Sequence, residues 1–433
     1  MMACESKPTI VRYRVLAMLF VTVVVNYLDR GNLAVAAPVL DSDLRLDPHS
    51  AGLLFSAFGW SYAAWQIPGG WLVDRFRPRR LYAVICGLWS LATLLQGFAG
   101  TFLFLFSLRL LVGTFEAPAY PLLNRLVTHW FPEGERAAAI GFYTSGQFFG
   151  LAFLAPALVM AQAQFGWQSV FILTGAAGLV WSAFWLWRYR GPAESAGVNP
   201  AEIQHIRAGG GLAGAGASPP SARRMKFQWA DLGYVLAHHK LWGIYLGQFS
   251  VNATLWFFLT WFPTYLVQYR HLAFLQAGFF TSLPFLAAFG GVLASGLLSD
   301  FLVRRGLSPT AARKVPVVAG LLLCMSVVGA NYAAKPGWII LFLAIAGFGN
   351  GFSSIAWVFV SALAPRQLLG LTGGVFNFFG NLAAIVVPIA IGWLVRRDDF
   401  APGLFFVAAL ALAGALSYFF VVGRIERVPD RGE

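Results

Sequence analysis

The chain has 433 residues, 58% of them hydrophobic and only 11% charged, with a mean hydropathy of +0.67. Soluble domains carry about 25% charged residues, so this composition excludes a water-soluble fold. The net charge of +13 would suit a nucleic-acid binder, but the basic residues gather in alternate loops between apolar stretches, which excludes nucleic acid as the partner and marks a lipid bilayer instead.

Twelve apolar stretches recur, each long enough to cross about 30 Å of hydrocarbon as a helix. They run over residues 14–38, 50–73, 80–99, 102–127, 137–161, 167–188, 241–268, 275–301, 314–333, 337–362, 368–395 and 402–422. The expected fold class is therefore an all-α polytopic membrane protein.

The first stretch, "VTVVVNYLDRGNLAVAAPVL", carries Asp29 and Arg30 in its middle. It lacks a small-residue cleavage site and continues with charges inside it, so it is expected to stay as the first span. In the second, Tyr62 and Gln66 lie four apart on one helix face, and the loop "GGWLVDRFRPRR" follows with Gly70, Asp74 and Arg75. The third holds Cys86. With Cys4 and Cys324 it makes a scattered set of three that suggests neither a disulfide framework nor a metal site, and no cofactor is expected.

The fourth stretch carries Arg109 and Glu116, seven apart and so on one face, two turns separated. Gly113, Pro118 and Pro121 weaken that helix and let its backbone bend around Glu116. Arg125, near the end of the span, can snorkel to the interface. Thr144 and Gln147 face together in the fifth.

Between the sixth and seventh stretches lies "RGPAESAGVNPAEIQHIRAGGGLAGAGASPPSARRMKFQWADLGYVLAHHK", with the composition of a flexible connector. It divides the chain into a first half, 1–189, a linker, 190–239, and a second half, 240–433. Gly209, Gly211 and Gly214 match G-x-G-x-x-G, but no strand precedes them and "ASPPS" replaces the helix that a dinucleotide site requires.

In the seventh stretch Gln248, Asn252 and Trp256 recur at i, i+4 and i+8, and in the eleventh Asn377 and Asn381 lie four apart. After the eighth, "ASGLLSDFLVRRG" repeats the earlier loop, with Gly296 and Asp300 spaced as Gly70 and Asp74 are. Twelve spans put both termini on one side. Most loop Lys and Arg lie on that side, against Arg45, Arg270, Lys335, Arg396 and Arg397 on the other, so the positive-inside rule places the termini in the cytoplasm.

Asp29, Arg30, Arg109, Glu116 and Arg125 fall within spans. Each ionised group near a bilayer centre costs roughly 2.5 to 3.5 kcal/mol on insertion scales, so they must pair or face a wet cavity. A purely structural ion-pair cluster is the alternative to a functional one for Asp29, Arg30 and Glu116. Buried amides can glue helices together; spread over several helices, they suit the lining of a central cavity better. Arg30 offers the planar fork that grips a carboxylate, and Gln147, Gln248, Asn252 and Asn377 offer donors and acceptors to hydroxyls. The set fits a small polyhydroxy carboxylate. Asp29 and Glu116 are suited to carry protons, because an anion that neutralises Arg30 changes the field on a neighbouring carboxyl and so links the two binding events. No G-x-x-x-x-G-K-[ST], G-x-S-x-G or H-E-x-x-H occurs, which argues against nucleotide-driven transport and against an enzyme with catalytic residues.

G-x-x-x-D-R with its basic tail and weaker second copy resembles the signature loop of the major facilitator superfamily. "NYLDRGNLAVAAP", "FSAFGWSYAAWQIPGGWLVDRF", "LRLLVGTFEAPAYPLLNRLVTHWFPEGERAAAIG", "GQFSVNATLWFFLTWFPTYLVQ" and "GVFNFFGNLAAIVVPIAIG" resemble the anion:cation symporters, and within them the bacterial carriers for galactonate, glucarate and hexuronates. The resemblance spans approximately residues 10–425. It departs at "RPRR", where the family usually has Gly-Arg-Arg or Gly-Arg-Lys. The resemblance implies two six-helix bundles, a monomer in the bacterial inner membrane and proton-coupled uptake of a sugar acid. It also implies Tyr27, Tyr62, Arg109 and Trp357 as further site positions, and Gly70, Asp74, Arg75 and Asp300 as conformational-switch positions. Carriage of another organic anion (tartrate- or phthalate-like), multidrug export and a non-transporting receptor of the same fold are the alternatives. A multidrug site, wide and apolar, would leave Arg30 and the amide stripe unexplained.

Overall fold

Long apolar runs without water to satisfy their backbone must close their hydrogen bonds within helices, and the described residues contain no strand beyond a single bridge between Arg396 and Asp399. The computed structural model describes residues 8–44, 46–213, 229–365, 368–396 and 399–430. The first half contains α1 (Val11–Asp43), α2 (Pro48–Ala64), α3 (Gln66–Arg75), α4 (Pro78–Gln96), α5 (Phe102–Glu116), α6 (Ala119–Trp130), α7 (Glu133–Phe165) and α8 (Gln168–Arg188). The connector contributes α9 (Pro200–Ala208) and α10 (Trp229–Ala237). The second half follows with α11 (His239–Thr260), α12 (Phe262–Thr264), α13 (Phe274–Arg304), α14 (Pro309–Cys324), α15 (Gly329–Tyr332), α16 (Pro336–Phe352), α17 (Trp357–Leu363), α18 (Leu369–Leu394) and α19 (Ala401–Leu416).

The twelve expected spans map onto these helices, several of them broken. Trp65 separates α2 from α3, and the expected bend near Glu116 appears as the break at Pro118 between α5 and α6. Among the described residues nine helical stretches are long and apolar enough to cross a membrane by length and composition. The other three expected spans are the α2–α3 pair, α4, whose first turn carries Arg79 and Arg80, and α11, which carries His239, Lys240, Gln248 and Asn252.

The helices pack into two compact units that cut across the halves. The first is Met1–Asn32, Ser61–Gly150 and Gln168–Met225; the second is Leu33–Trp60, Leu151–Trp167 and Lys226–Glu433. In the first, α4 lies against α8 and α5, and α3 against α6. In the second, α13 packs on α16, and α11 on α18 and α19. The start of α2 belongs to the second unit, where a Cβ on Gly52 would lie 2.6 Å from the Pro388 carbonyl oxygen of α18. Only a residue without a side chain permits that approach.

Over residues 199–210 the connector is docked on the first unit by specific contacts. Asn199 caps α9, its Oδ1 accepting from the Glu202 backbone N–H at 2.8 Å. Glu202 is fully buried and accepts from the Thr9 hydroxyl and from the Arg12 backbone N–H at 3.2 Å. Arg12 also pairs with Glu135 at 3.1 Å, and His205 lies 3.1 Å from the other Glu135 oxygen. Burial pushes the Glu135 carboxyl up, but the His205 hydrogen bond and the Arg12 charge outweigh it and hold the group below its ordinary value. The glycines close the dock: a Cβ on Gly209 would lie 2.4 Å from Pro132 Cβ, and Gly210 has φ of +80°. Composition reports chain stiffness and not whether a socket awaits the segment. Gly214 lies outside the described residues.

Candidate functional site

Adjacent residues on a helix point about 100° apart, so Asp29 and Arg30 enter different surroundings, both in the first unit. Arg30 faces α5. Its Nη2 lies 2.6 Å from Glu116 Oε1, and its Nε donates to the same oxygen at 2.7 Å. The guanidinium carbon sits 4.9 Å from the ring centres of both Tyr27 and Tyr62 and 5.9 Å from that of Tyr120, a cage that balances its charge with ring faces. Asp29 faces α4, where Trp89 Nε1 donates to its Oδ2 at 3.0 Å. Arg109 reaches α1 beside Asp29: its Nη1 donates to the Asp29 backbone carbonyl at 3.0 Å and to Asn32 Oδ1 at 3.3 Å. Asn32 in turn donates to Thr174 Oγ1 at 3.1 Å. Asp29, Arg30, Asn32, Arg109 and Glu116 are all at most 5% exposed, so their mutual compensation decides whether the unit is stable.

Sequence spacing places Glu116 on one helix face with Arg109, and the ion pair of Glu116 is made with Arg30. Seven residues put Arg109 and Glu116 on one face of α5, yet their two-turn separation of about 10 Å lets a different helix reach each of them. Trp89, Asn32, Thr174 and Tyr120 escape the sequence reading because each resembles ordinary packing on its own helix. The signal that would find them is their register against Asp29 and Arg30, which requires the helix pairing.

Gln147 is half-buried on α7 in the same unit. The second unit holds the remaining expected binding residues. Gln248 is buried on α11 and donates to Asn252 Oδ1 at 3.5 Å. Gly380 of α18 lies against this pair, a Cβ there falling 2.8 Å from Asn252 Nδ2. Asn377 accepts from Asn381 through both its backbone oxygen, at 2.9 Å, and its side-chain oxygen, at 3.2 Å. Trp357 opens α17, is 49% exposed and meets Phe376 edge-on at 4.8 Å; so much exposure separates it from the packed tryptophans of the core.

At the loop between α3 and α4, Arg75 lies 5.5 Å from the Trp71 ring and Gly70 faces open space. Arg125 donates to the Val73 carbonyl and, at 3.5 Å, to that of Phe76, so its charge meets the carbonyl end of α3 in place of bulk water. Gly70, Val73, Arg125, Thr128 and His129 line a cavity of about 330 Å³ beneath it. Pro78, the departure in "RPRR", is the first residue of α4, a position where proline's missing N–H costs nothing. The Asp74 and Asp300 side chains lie outside the described residues.

The sequence profile of the Major Facilitator Superfamily matches residues 19–388. The D-galactonate transporter of Escherichia coli O6:H1 is 50% identical over 423 residues, 98% of each chain. The probable galactarate/D-glucarate transporter GudP of Bacillus subtilis is 41% identical over 430 residues, 98% of this chain and 94% of its own. Among solved structures, the inward-open xylose transporter XylE from E. coli superposes with a TM-score of 0.72 at 13% identity, over 95% of this chain and 97% of that one, a likeness of fold alone. A profile match over residues 19–388, with one relative 50% identical over 98% of each chain and another 41% identical, establishes that the chain belongs to the Major Facilitator Superfamily.

Proposed function

We propose that this protein is a secondary active transporter that takes up a sugar acid of the galactonate or glucarate class together with protons. The observation that carries the reading is the Arg30–Glu116 pair inside its tyrosine cage. Glu116 presents to Arg30 the group that a sugar acid would present, a carboxylate, so substrate and Glu116 compete for one guanidinium. Proton uptake by Glu116 releases Arg30 to the substrate, and a substrate that displaces Glu116 favours its protonation. The two events are linked in one direction and therefore in the other. Tyr27 and Tyr62 hold the guanidinium in place and offer hydroxyls, while Gln147, Gln248, Asn252, Asn377 and Trp357 are the groups proposed for the substrate hydroxyls and carbon face. The galactonate and galactarate/glucarate transporters named above support this substrate class.

The halves 1–189 and 240–433 are proposed as the two bundles whose relative movement exposes the site to each side in turn, with Gly70, Asp74, Arg75 and Asp300 at the switching loops. The excess of Lys and Arg on the side of the termini supports a cytoplasmic placement for them, and the relatives support the bacterial inner membrane. The protein is proposed to work as a monomer. The test is uptake of labelled D-galactonate and D-glucarate into proteoliposomes under an imposed pH gradient, beside a hydrophobic cation. Accumulation of a sugar acid that collapses with the gradient is the expected result; accumulation of the cation alone refutes the proposal in favour of drug transport.

A further inference from the structure

Away from Arg30, α1 turns a second polar face toward α4 and α8. Thr22, Asn26 and Asp29 follow one another at steps of four and three along α1, as Trp89, Thr93 and Gln96 do along α4, spacings that keep side chains on one face. Contacts join the three helices along this seam: Trp181 Nε1 donates to Thr22 Oγ1 at 3.2 Å, Trp89 to Asp29, and Asn32 to Thr174. α8 comes close enough that a Cβ on Gly178 would lie 2.1 Å from Ser90 Oγ.

Within the seam Asn26, Thr93 and Gln96 are fully buried, yet neither side-chain heteroatom of the two amides, nor the Thr93 hydroxyl, has a protein partner. The hydroxyls of Thr22 and Thr174 donate to carbonyls one turn back at 2.9 Å each, the usual way for a helical threonine to satisfy itself. Thr93 does not. Buried polar groups are normally satisfied, by ordered water where no protein atom serves. Gln96 ends α4, seven residues and about 10 Å of helix rise from the tryptophan that holds Asp29, and Phe98 just beyond it is exposed.

We propose that Thr93 and Gln96 hold a short file of water that carries protons between Asp29 and the α4–α5 end of the first unit, apart from the substrate's path past Arg30. The inference rests on the proton-coupled reading above, with Asp29 as the second proton-carrying carboxyl beside Glu116. At each hop one water O–H bond breaks and another forms; the proton enters from solvent, ends as an O–H on the Asp29 carboxylate, and leaves by the reverse sequence. Gln96 and Thr93 orient the water and do not themselves titrate.

The experiment replaces both groups by apolar ones of similar shape, Thr93→Val with Gln96→Met, in the full chain in proteoliposomes with labelled D-galactonate. Uptake driven by an imposed pH gradient should fall about tenfold or more, within the range that assisted proton transfer supplies. Counterflow at equal pH, and affinity by calorimetry, should stay near wild type. Infrared spectroscopy should show slower deuterium exchange at the Asp29 carboxyl, and Thr93→Ser with Gln96→Asn should restore the rate. Undiminished pH-driven uptake by the apolar variant, beside a coupled wild type, overturns the file alone, as does a parallel loss of counterflow. A wild type indifferent to the pH gradient overturns the coupling and the file together.

Discussion

Arg30 makes its two contacts to Glu116 through Nη2 and Nε, the edge of a planar fork that an ammonium cannot copy. Arg30→Lys keeps the charge and loses the geometry. Since a hydrogen bond to a charged group contributes about 1.5 to 3 kcal/mol, substrate affinity should fall roughly ten- to hundredfold, measured by calorimetry on purified protein. Equal affinities would remove the clamp. Glu116→Gln tests the other partner. It fixes the neutral form, so counterflow between loaded and external pools should persist while accumulation under a pH gradient is lost, and substrate affinity should lose the part of its pH dependence that Glu116 supplies. If the pair only holds helices together, the same change leaves a buried arginine charge uncompensated, and folding yield, counterflow and uptake should fail in parallel.

At the scale of the element, α9 is held to the starts of α1 and α7 by Glu202 and Glu135. Glu202 accepts from Thr9 and Arg12 while fully buried, so Glu202→Ala leaves those donors facing an apolar gap. A loss of about 1 to 3 kcal/mol is expected for the dock, read as faster amide exchange over residues 199–213 with α4 and α8 unchanged. Glu135 adds a pH dependence of definite sign. Its carboxyl is held below the ordinary 4.5, so its contribution is full above that value and is lost as pH falls through the lowered one. Exchange in α9 should therefore be flat at neutral pH and rise only under acid; a rise near pH 7 would assign the dock's titration to another group.

For the molecule as a whole, a close backbone approach in the second unit joins α2 and α18, at Gly52 against Pro388 and, reciprocally, at Gly392, where a Cβ would sit 2.5 Å from the Pro48 carbonyl oxygen. Both obstacles are backbone and cannot swing aside. Gly52→Val should favour conformations in which these helix ends separate, by about 1 to 3 kcal/mol, the usual cost of overpacking, and so shift a two-state population by roughly five- to 150-fold. Spin-label distances between the start of α2 and the end of α18 report it; an unchanged distribution would show that the contact does not discriminate between states.

The sequence alone determined the twelve spans, since crossing a bilayer depends on apolar content summed along a short stretch, and that sum is local. It also marked Asp29, Arg30, Arg109 and Glu116, because charge in hydrocarbon is costly whatever its partner. The partners were another matter. Periodicity fixes a side chain's direction about its own helix axis but not how the neighbouring helix is rotated or raised. That is why the Arg30–Glu116 ion pair could not be read from spacing, and why Trp89, Thr174 and Tyr120 joined the charged cluster unannounced. The connector shows the same limit from the other side. "NPAEIQHIRAGGG" reads as a solvated, glycine-rich stretch until Arg12, Glu135 and Pro132, distant in the chain, supply the ion pairs and the wall that Gly209 fits against. Tertiary structure alone decided these features, because each is a property of two surfaces and the sequence displays one at a time.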